Sequence, residues 1–501
     1  MNDDTFKWLA IALYFLGMLM IGYYGYKRTT TGEDYMLGGR ALRPGVAALS
    51  AGASDMSGWL MLGLPGAIFV AGLDQAWIAV GLVVGAWLNW KFVAHRLRSY
   101  TEVSNNSITV PSFFENRLRD RSRLLRIVAG LIILVFFTFY VSSGMVAAGT
   151  FFQGAFGASY FTGMLLVAGI TLAYTMFGGF TGVAWTDVVQ GLMSMVALIV
   201  LPAMAIAAMG GFGESLDAIA AVDASATSWI AGASFVGVVS AAAWGLGYFG
   251  QPHIIVRFMA LRSAKDAVAG RRIGISWMVL STGGAVLLAL LAIGYLPTQG
   301  INLAEEEAET VLLRMADVLF HPFIAGIILA AVLAAIMSTI SSQLLVCSSA
   351  LVEDLYKVVL KRTASEKAMV LLGRLGVLVV AVVAAVIALD PGGTVLGLVA
   401  FAWAGFGAAF GPIIILSLYW RRLSAWGALA GMATGAVVVV VWAQTGLGES
   451  LIYEIVPGFV ACALVAVLVS LATARPNEEI DNEFEAALKQ ADAWKEPEPT
   501  A

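Results

Sequence analysis

The sequence is poor in charge. Asp, Glu, Lys and Arg make up 12% of its 501 residues while 60% are hydrophobic, against about 25% and about 45–50% in soluble globular chains. That balance argues against a water-soluble fold and for a polytopic membrane protein, since a crossing takes about 20 apolar residues and a chain this long holds about a dozen. Cysteine is nearly absent: Cys347 and Cys462 lie far apart in apolar surroundings, so no disulfide framework is expected and packing is the better reading. Histidine is as scarce. His95, His253 and His321 all fall at expected loop positions and form no metal or nucleophile constellation, which counts against an enzyme. There is no basic excess, the net charge being −4, so a nucleic-acid partner is not expected. Nothing resembles a charged ring or repeated filter, which disfavours a channel. The start, Met1 to Lys7, lacks a basic stretch and no small-residue cleavage site follows the first apolar run, so that run is expected to stay as a helix.

What is present is about thirteen apolar runs long enough to span, from Trp8 to Leu471. Among them are Gly45 to Phe69 (second), Tyr160 to Phe177 (fifth), Val188 to Met209 (sixth), Trp229 to Phe249 (seventh) and Pro322 to Leu351 (ninth). The few basic residues gather after odd-numbered runs. Examples are Lys27, Arg28 and Arg40, then Arg117 to Arg126, then Arg257, Arg262, Lys265, Arg271 and Arg272, then Lys357, Lys361, Arg362 and Lys367, and finally Arg421 and Arg422. Because Lys and Arg in short loops stay cytoplasmic, the N-terminus is expected outside and the C-terminus inside. Residues 1–474 then form the membrane domain. The acidic segment 475–501, with Glu478, Glu479, Asp481, Glu483 and Glu485, reads as a solvated cytoplasmic tail.

Two runs carry residues that a lipid-facing helix avoids. Ser50 to Trp59 includes Gly52, Ser54, Asp55, Ser57 and Gly58, and Trp244 to Pro252 includes Gly245, Gly247, Gly250 and Gln251; both weaken a helix near mid-membrane. The runs are an odd number of spans apart and so cross in opposite directions. That relation is expected of an inverted repeat whose broken helices face substrate and ion. Asp55 is the most informative single residue, since a mid-span carboxylate costs roughly 2.5–3.5 kcal/mol on insertion scales and implies an ion, a proton or a charged partner. Asp187 stands at the start of the sixth run, where a solvated helix end would also explain it. A pair between Arg40 and Asp187 at an inner gate is conceivable. By residue count Asp55 to Ser57, Tyr140, Ser338 and Thr339 share the midplane. Hydroxyls beside the carbonyls of a broken helix suit a hard cation better than a proton. Trp59, Tyr140, Trp244 and Tyr248 can wall a compact apolar group and face an ammonium.

Several stretches in order carry a family likeness: Leu37 to Arg40, Ala48 to Trp59, Gly178 to Gln190, Trp244 to Pro252 followed by His253 and Arg257, Met337 to Thr339, and Arg422 with Gly427 to Gly431. On these the chain resembles the sodium/solute symporter family over nearly its whole length. The resemblance implies an all-α LeuT-type fold whose inverted repeats of five spans cover about residues 40–210 and 229–420. It implies a sodium site from the backbone of Ala53, Met56 and Ala335 with the hydroxyls of Ser338 and Thr339, Asp55 acting nearby and Ser57 and Gly58 shaping the break. It places L-proline against Trp59, Tyr140, Trp244 and Tyr248 with Pro252 near, and gives Arg40 and Asp187 roles in coupling at the inner side. The expected activity is sodium-driven proline symport across a bacterial cytoplasmic membrane, with no cofactor beyond Na+ as coupling ion. The alternatives are another small organic solute on the same scaffold, and a membrane proline sensor, against which stands the lack of a sizeable soluble output domain.

Overall fold

The structure, a computed structural model, describes residues 3–29, 31–359, 365–390 and 393–495; Lys361, Arg362 and the end of the acidic tail lie outside them. Among the described residues every regular element is helical, with one isolated parallel bridge between Leu42 and Leu261. Ten helices are long and apolar enough to cross a membrane. The helices used below are numbered in chain order: α1 (Asp3–Arg28), α2 (Pro44–Asp55), α3 (Leu64–Ala71), α4 (Trp77–Leu88), α5 (His95–Val103), α6 (Leu124–Phe156), α7 (Tyr160–Ala208), α8 (Phe235–Ala242), α9 (Pro252–Met259), α10 (Asp266–Thr298), α11 (Pro322–Ser349), α12 (Glu366–Ile387), α13 (Val395–Tyr419), α14 (Ala425–Gln444), α15 (Ile455–Thr473) and α16 (Glu478–Asp492).

The expected fifth and sixth runs fall in one element, α7, of 49 residues. Straight, such a helix would measure roughly 74 Å, more than twice the ~30 Å hydrocarbon core. It is not straight: Gly179 interrupts it at φ 56°, ψ −161°, a conformation open to glycine and strained for other residues. Each arm is then long enough to cross. The second and seventh runs are not continuous helices. α2 ends at Asp55, Met56 leaves helical geometry at φ −78°, ψ 84°, and the chain resumes through a wide turn at Trp59–Gly63 into α3. In the later run α8 tightens into a 3-10 stretch over Ala243–Phe249, and α9 starts afresh with Pro252 as its first residue, where proline's missing N–H costs nothing.

Small residues let these broken segments approach their neighbours. At Gly85 of α4 a built Cβ falls on the carbonyl of Gly245 in the second break, backbone against backbone, so no rotamer change relieves it. Gly85→Val is therefore expected to lower the thermal unfolding midpoint in detergent by many degrees. Gly17→Val, where a Cβ meets nothing within 4 Å, should leave it unchanged; equal midpoints would show that the approach is not required.

The acidic tail departs from its reading as a solvated segment. Asn477 accepts from the amides of Glu479 and Ile480 and caps α16. The helix buries Phe484, Ala487 and Ala491, an i, i+3, i+7 stripe. The Phe484 ring meets Tyr100 edge-on at 5.9 Å and lies 5.3 Å from the guanidinium carbons of both Arg117 and Arg421. Glu483 pairs with Arg119 at 2.6 Å and Glu485 with Arg421 at 3.0 Å. Glu478, Glu479 and Glu485 stay exposed while Glu483 is nearly buried against Arg119, and the apolar stripe docks on α5.

Candidate functional site

The two helix breaks meet. The Tyr248 hydroxyl donates a hydrogen bond to Asp55 Oδ2, and its ring stands edge-on to Trp403 of α13 at 5.1 Å. Asp55 closes α2, and its carbonyl accepts from Ser57 N at 2.9 Å and from Trp59 Nε1 at 2.9 Å. Ser57 Oγ in turn accepts from Trp59 N at 3.4 Å. Gly58 has no room for a side chain, since a Cβ there would lie 2.6 Å from the Ala147 methyl. Thus Ser57 and Gly58 hold the break, and Trp59 folds back over it.

Trp403 fastens the second break. Its Nε1 donates to the Trp244 carbonyl at 2.7 Å, and its own carbonyl accepts from Gln251 Nε2 at 3.1 Å. Trp244 stacks on Tyr453 at 5.3 Å. Tyr140 reaches the same region from α6, its ring edge-on to His253 at 6.0 Å, beside Pro252. Asp55 thus touches Trp59 and Tyr248 directly, Trp244 joins them through Trp403, and Tyr140 meets His253, the residue after Pro252. Polar atoms here lack protein partners: Asp55 Oδ1, the Tyr140 hydroxyl, Gln251 Oε1 and both ring nitrogens of His253. Buried polar groups of native proteins are nearly always satisfied, so a concentration of orphans marks where a polar ligand, ion or water is met.

On the other side of α2 lies a set of hard oxygen donors. Ser338 Oγ of α11 donates to the Ala53 carbonyl at 2.7 Å, with the Ala335 carbonyl at 3.0 Å, and Thr339 Oγ1 reaches the Ala335 carbonyl at 3.3 Å. Four of the five expected sodium ligands are gathered; Met56, the fifth, caps the same half-helix. The fit to sodium is chemical, with neutral oxygens from two helices, one of them broken. Among the described residues there is no group of three His, Cys, Asp or Glu that could hold a metal ion.

One helical turn beyond Thr339, a fully buried ion pair ties four helices together. Asp187 Oδ2 on α7 lies 3.0 Å from an Arg257 terminal nitrogen on α9. Ser50 of α2 donates to Asp187 Oδ2 at 2.6 Å and accepts from Arg257 Nε at 3.0 Å, and Ser342 of α11 accepts from Arg257 at 2.5 Å. This corrects two expectations. Asp187 is not at a solvated helix end, and its partner is not Arg40. Arg40 instead binds the Met259 carbonyl at 2.7 Å, the Ser107 carbonyl at 2.7 Å, Thr101 Oγ1 at 3.1 Å and Asn106 Oδ1 at 2.9 Å. Beside it Leu42 N donates to the Ala260 carbonyl at 3.0 Å and Arg262 N to the Leu42 carbonyl at 3.2 Å. Arg40 therefore latches the entry of α2 to the end of α9, on the face that carries the basic loops.

Four participants escaped the sequence reading. In the sequence Arg257 stands among basic loop residues and His253 at an expected loop position, yet both are fully buried on α9. Ser342 belonged to the hydroxyl run after Met337 but drew no role of its own, and Trp403 sat unremarked among the glycines and alanines of α13.

These features define a class: an all-helical, multi-pass membrane protein with its buried polar constellation at two helix breaks, the architecture of a secondary transporter. The model of the sodium:solute symporter family matches residues 35–435. The chain is 54% identical over 467 residues to the high-affinity proline transporter PutP of Bacillus subtilis, covering 93% of this chain and 98% of that one. It is 48% identical over 482 residues to the sodium/proline symporter of Escherichia coli, covering 96% and 95%. A solved structure of a Na+-coupled sialic acid symporter in a substrate-bound outward-open state superposes with a TM-score of 0.80 at 19% identity, over 95% of this chain and all of that one. The chain belongs to the sodium:solute symporter family.

Proposed function

We propose that the protein carries L-proline into the cell together with Na+, by alternating access at the two helix breaks. The observation that carries this reading is the contact of Ser338 with the Ala53 carbonyl on one side of α2 and of Tyr248 with Asp55 on the other. An ion held by Ala53, Met56, Ala335, Ser338 and Thr339 would fix the end of the half-helix whose last residue reaches the substrate region. Proline tightens sodium by the factor by which sodium tightens proline. The imino acid ring packs among Trp59, Tyr140, Trp244, Tyr248 and Pro252, and its carboxylate meets amides at the start of the outer half of the broken helix.

The cavity bounded by Asp55, Asn89, Tyr248 and Met278 has a volume of about 20 Å³, room for about one water. Of the five residues placed around proline, only Tyr248 lines it. Inward release requires the Arg40 latch to open and α9 to move against Asp187, which gives Arg40 and Asp187 their coupling roles. Counting both arms of α7 and each broken helix as a crossing supports about thirteen spans. With the basic face cytoplasmic, the N-terminus is outside and the tail inside the bacterial membrane. Residues 1–474 form the transport domain around repeats at about 40–210 and 229–420.

Sodium-dependent uptake of radiolabelled proline into proteoliposomes tests the activity, and a panel of competing solutes tests the substrate. Uptake indifferent to the sodium gradient would sink the reading. For the ion site, Thr339→Ala is expected to raise the sodium concentration for half-maximal proline binding about tenfold, a loss of roughly 1.4 kcal/mol. Ser341→Ala, whose hydroxyl bonds back to the Ser338 carbonyl at 2.9 Å, should change it little. An unchanged sodium dependence in Thr339→Ala would remove that hydroxyl from the site.

A further inference from the structure

The tail helix and the inner latch meet on one short helix, α5. Thr101 Oγ1 of α5 accepts from Arg40 at 3.1 Å, and Asn106 and Ser107, just beyond its end, complete the hold on that guanidinium. Arg98, three residues before Thr101 and so on the same face, binds the end of α9. Its Nε donates to the Leu261 carbonyl and a terminal nitrogen to the Arg262 carbonyl at 3.1 Å. The tail helix α16 packs on α5 as well, with Phe484 against Tyr100.

One residue joins the two sets of contacts. Glu102 Oε2 accepts from Arg98 at 2.6 Å and from Gln490 of α16 at 2.9 Å. Arg98 is buried, and Glu102 is the one carboxylate within ion-pair distance of it among the described residues. A hydrogen-bonded chain thus runs from the tail through Glu102 to Arg98 and on to the carbonyls at the end of α9.

The tail is able to leave as a unit. Ala474 to Asn477 separate α15 from α16 and are not helical, so the tail helix is not a rigid extension of a membrane helix. At 15 residues it has a length at which a lone helix is marginal in water, so helix and docking form and dissolve together. The docked face offers one large apolar side chain, Phe484, with Ala487 and Ala491, flanked by carboxylates that pair with Arg119 and Arg421. An interface this small is a local equilibrium of the folded protein.

We propose that the C-terminal helix is an intramolecular brace on the inner gate. Docked on α5, it holds Glu102 against Arg98 and favours the state in which α9 and the Arg40 latch are closed. The brace rests on the reading that inward release moves α9 and opens that latch. Glu102 is a positioning residue, acting on α9 only through Arg98. When the tail undocks, Glu102 loses the Gln490 donor, Arg98 is held less firmly, and the equilibrium moves toward the inward-open state.

The test reads the inner side directly. Val256 of α9 is buried and lines, with Ile108, Val346 and Arg257, a cavity of about 10 Å³, too small to admit a reagent. V256C in a C347A/C462A background is therefore protected until α9 moves, and its rate of alkylation by N-ethylmaleimide is measured on the full chain in detergent. F484A removes the main apolar anchor and A487R puts a charge into the buried stripe; both are expected to raise the rate about fivefold. E102A should raise it by a similar factor while the amides of α16 keep their protection against hydrogen exchange. E485Q, which touches only the exposed pair with Arg421, should leave the rate at the parent's value. Q490A cuts the bond to Glu102 and spares the apolar stripe, so it carries the test even where the stripe variants fold poorly, with a rise of about twofold. Unchanged rates in F484A and A487R with the tail amides exchanging freely, an unchanged rate in Q490A, or an equal rise in E485Q would overturn the brace. An unchanged rate in E102A would overturn the relay through that residue. Alkylation requires no proline: a parent that takes up proline with sodium but shows no tail effect defeats the brace alone, whereas a parent that carries no proline defeats the transport reading whatever its alkylation rate.

Discussion

Asp55→Asn is expected to raise the sodium concentration needed for half-maximal proline binding by about a hundredfold, while the protein still folds and inserts. Asparagine keeps the shape and an acceptor for the Tyr248 hydroxyl, so the contact between the breaks can persist; what disappears is the charge. A carboxylate ~5–6 Å from a cation is worth roughly 3 kcal/mol at the effective dielectric of about 20 that describes protein sites, and 1.4 kcal/mol is tenfold in affinity. Among the described residues Asp55 has no cationic partner and its Oδ2 accepts from the neutral Tyr248 hydroxyl, so its charge is not already spent on a neighbour, unlike that of Asp187, which Arg257 meets. Tyr248→Phe separates the two roles of the pair. It removes the hydroxyl and keeps the charge, and is expected to weaken proline at saturating sodium far more than it weakens sodium. Sodium titrations of proline binding to the purified variants make the comparison. If Asp55→Asn binds proline with the parent's sodium dependence, the carboxylate only accepts from Tyr248 and the coupling ion is held without it.

The parts of this architecture that could be read along the chain are those whose cause is local. Gly52, Ser54, Asp55, Ser57 and Gly58 weaken a helix wherever they occur together, and Gly245, Gly247, Gly250 and Pro252 do the same, so both breaks were visible as composition. Ser338 and Thr339 were visible as adjacent hydroxyls at the depth of Asp55. What could not be read is pairing across distance. Asp187 and Arg257 are 70 residues apart, and nothing near either names the other. A lone arginine in a run of basic residues looks like a cytoplasmic loop residue until the helix that carries it is seen to be buried. Arg40 was the nearer candidate partner by topology, and it spends its donors on backbone carbonyls and on Thr101 and Asn106 instead. The tail differs for another reason: its high net charge masks the i, i+3, i+7 spacing of Phe484, Ala487 and Ala491.

The second large effect concerns that unforeseen pair. Arg257→Met is expected to destabilise the protein by about 3–5 kcal/mol, because it leaves Asp187 buried and charged with only Ser50 and Ser342 near its Oδ2. Asp187→Leu should cost a similar amount by stranding the guanidinium. The double variant is expected to recover much of the loss, since exchanging a buried ion pair for apolar groups of like volume is often close to neutral in stability. The three variants form a cycle with the parent, and a coupling of roughly 2 kcal/mol or more is the signature of direct interaction. Stability and transport should then part company. Ser50, Asp187, Arg257 and Ser342 sit on α2, α7, α9 and α11, so the pair joins the two broken helices to the helix bearing the hydroxyls proposed to hold sodium, one turn from Thr339. A double variant with the parent's unfolding midpoint but uncoupled sodium and proline uptake is the expected outcome, placing the pair in the transport cycle. Normal coupled uptake in that variant would reduce the pair to a packing device.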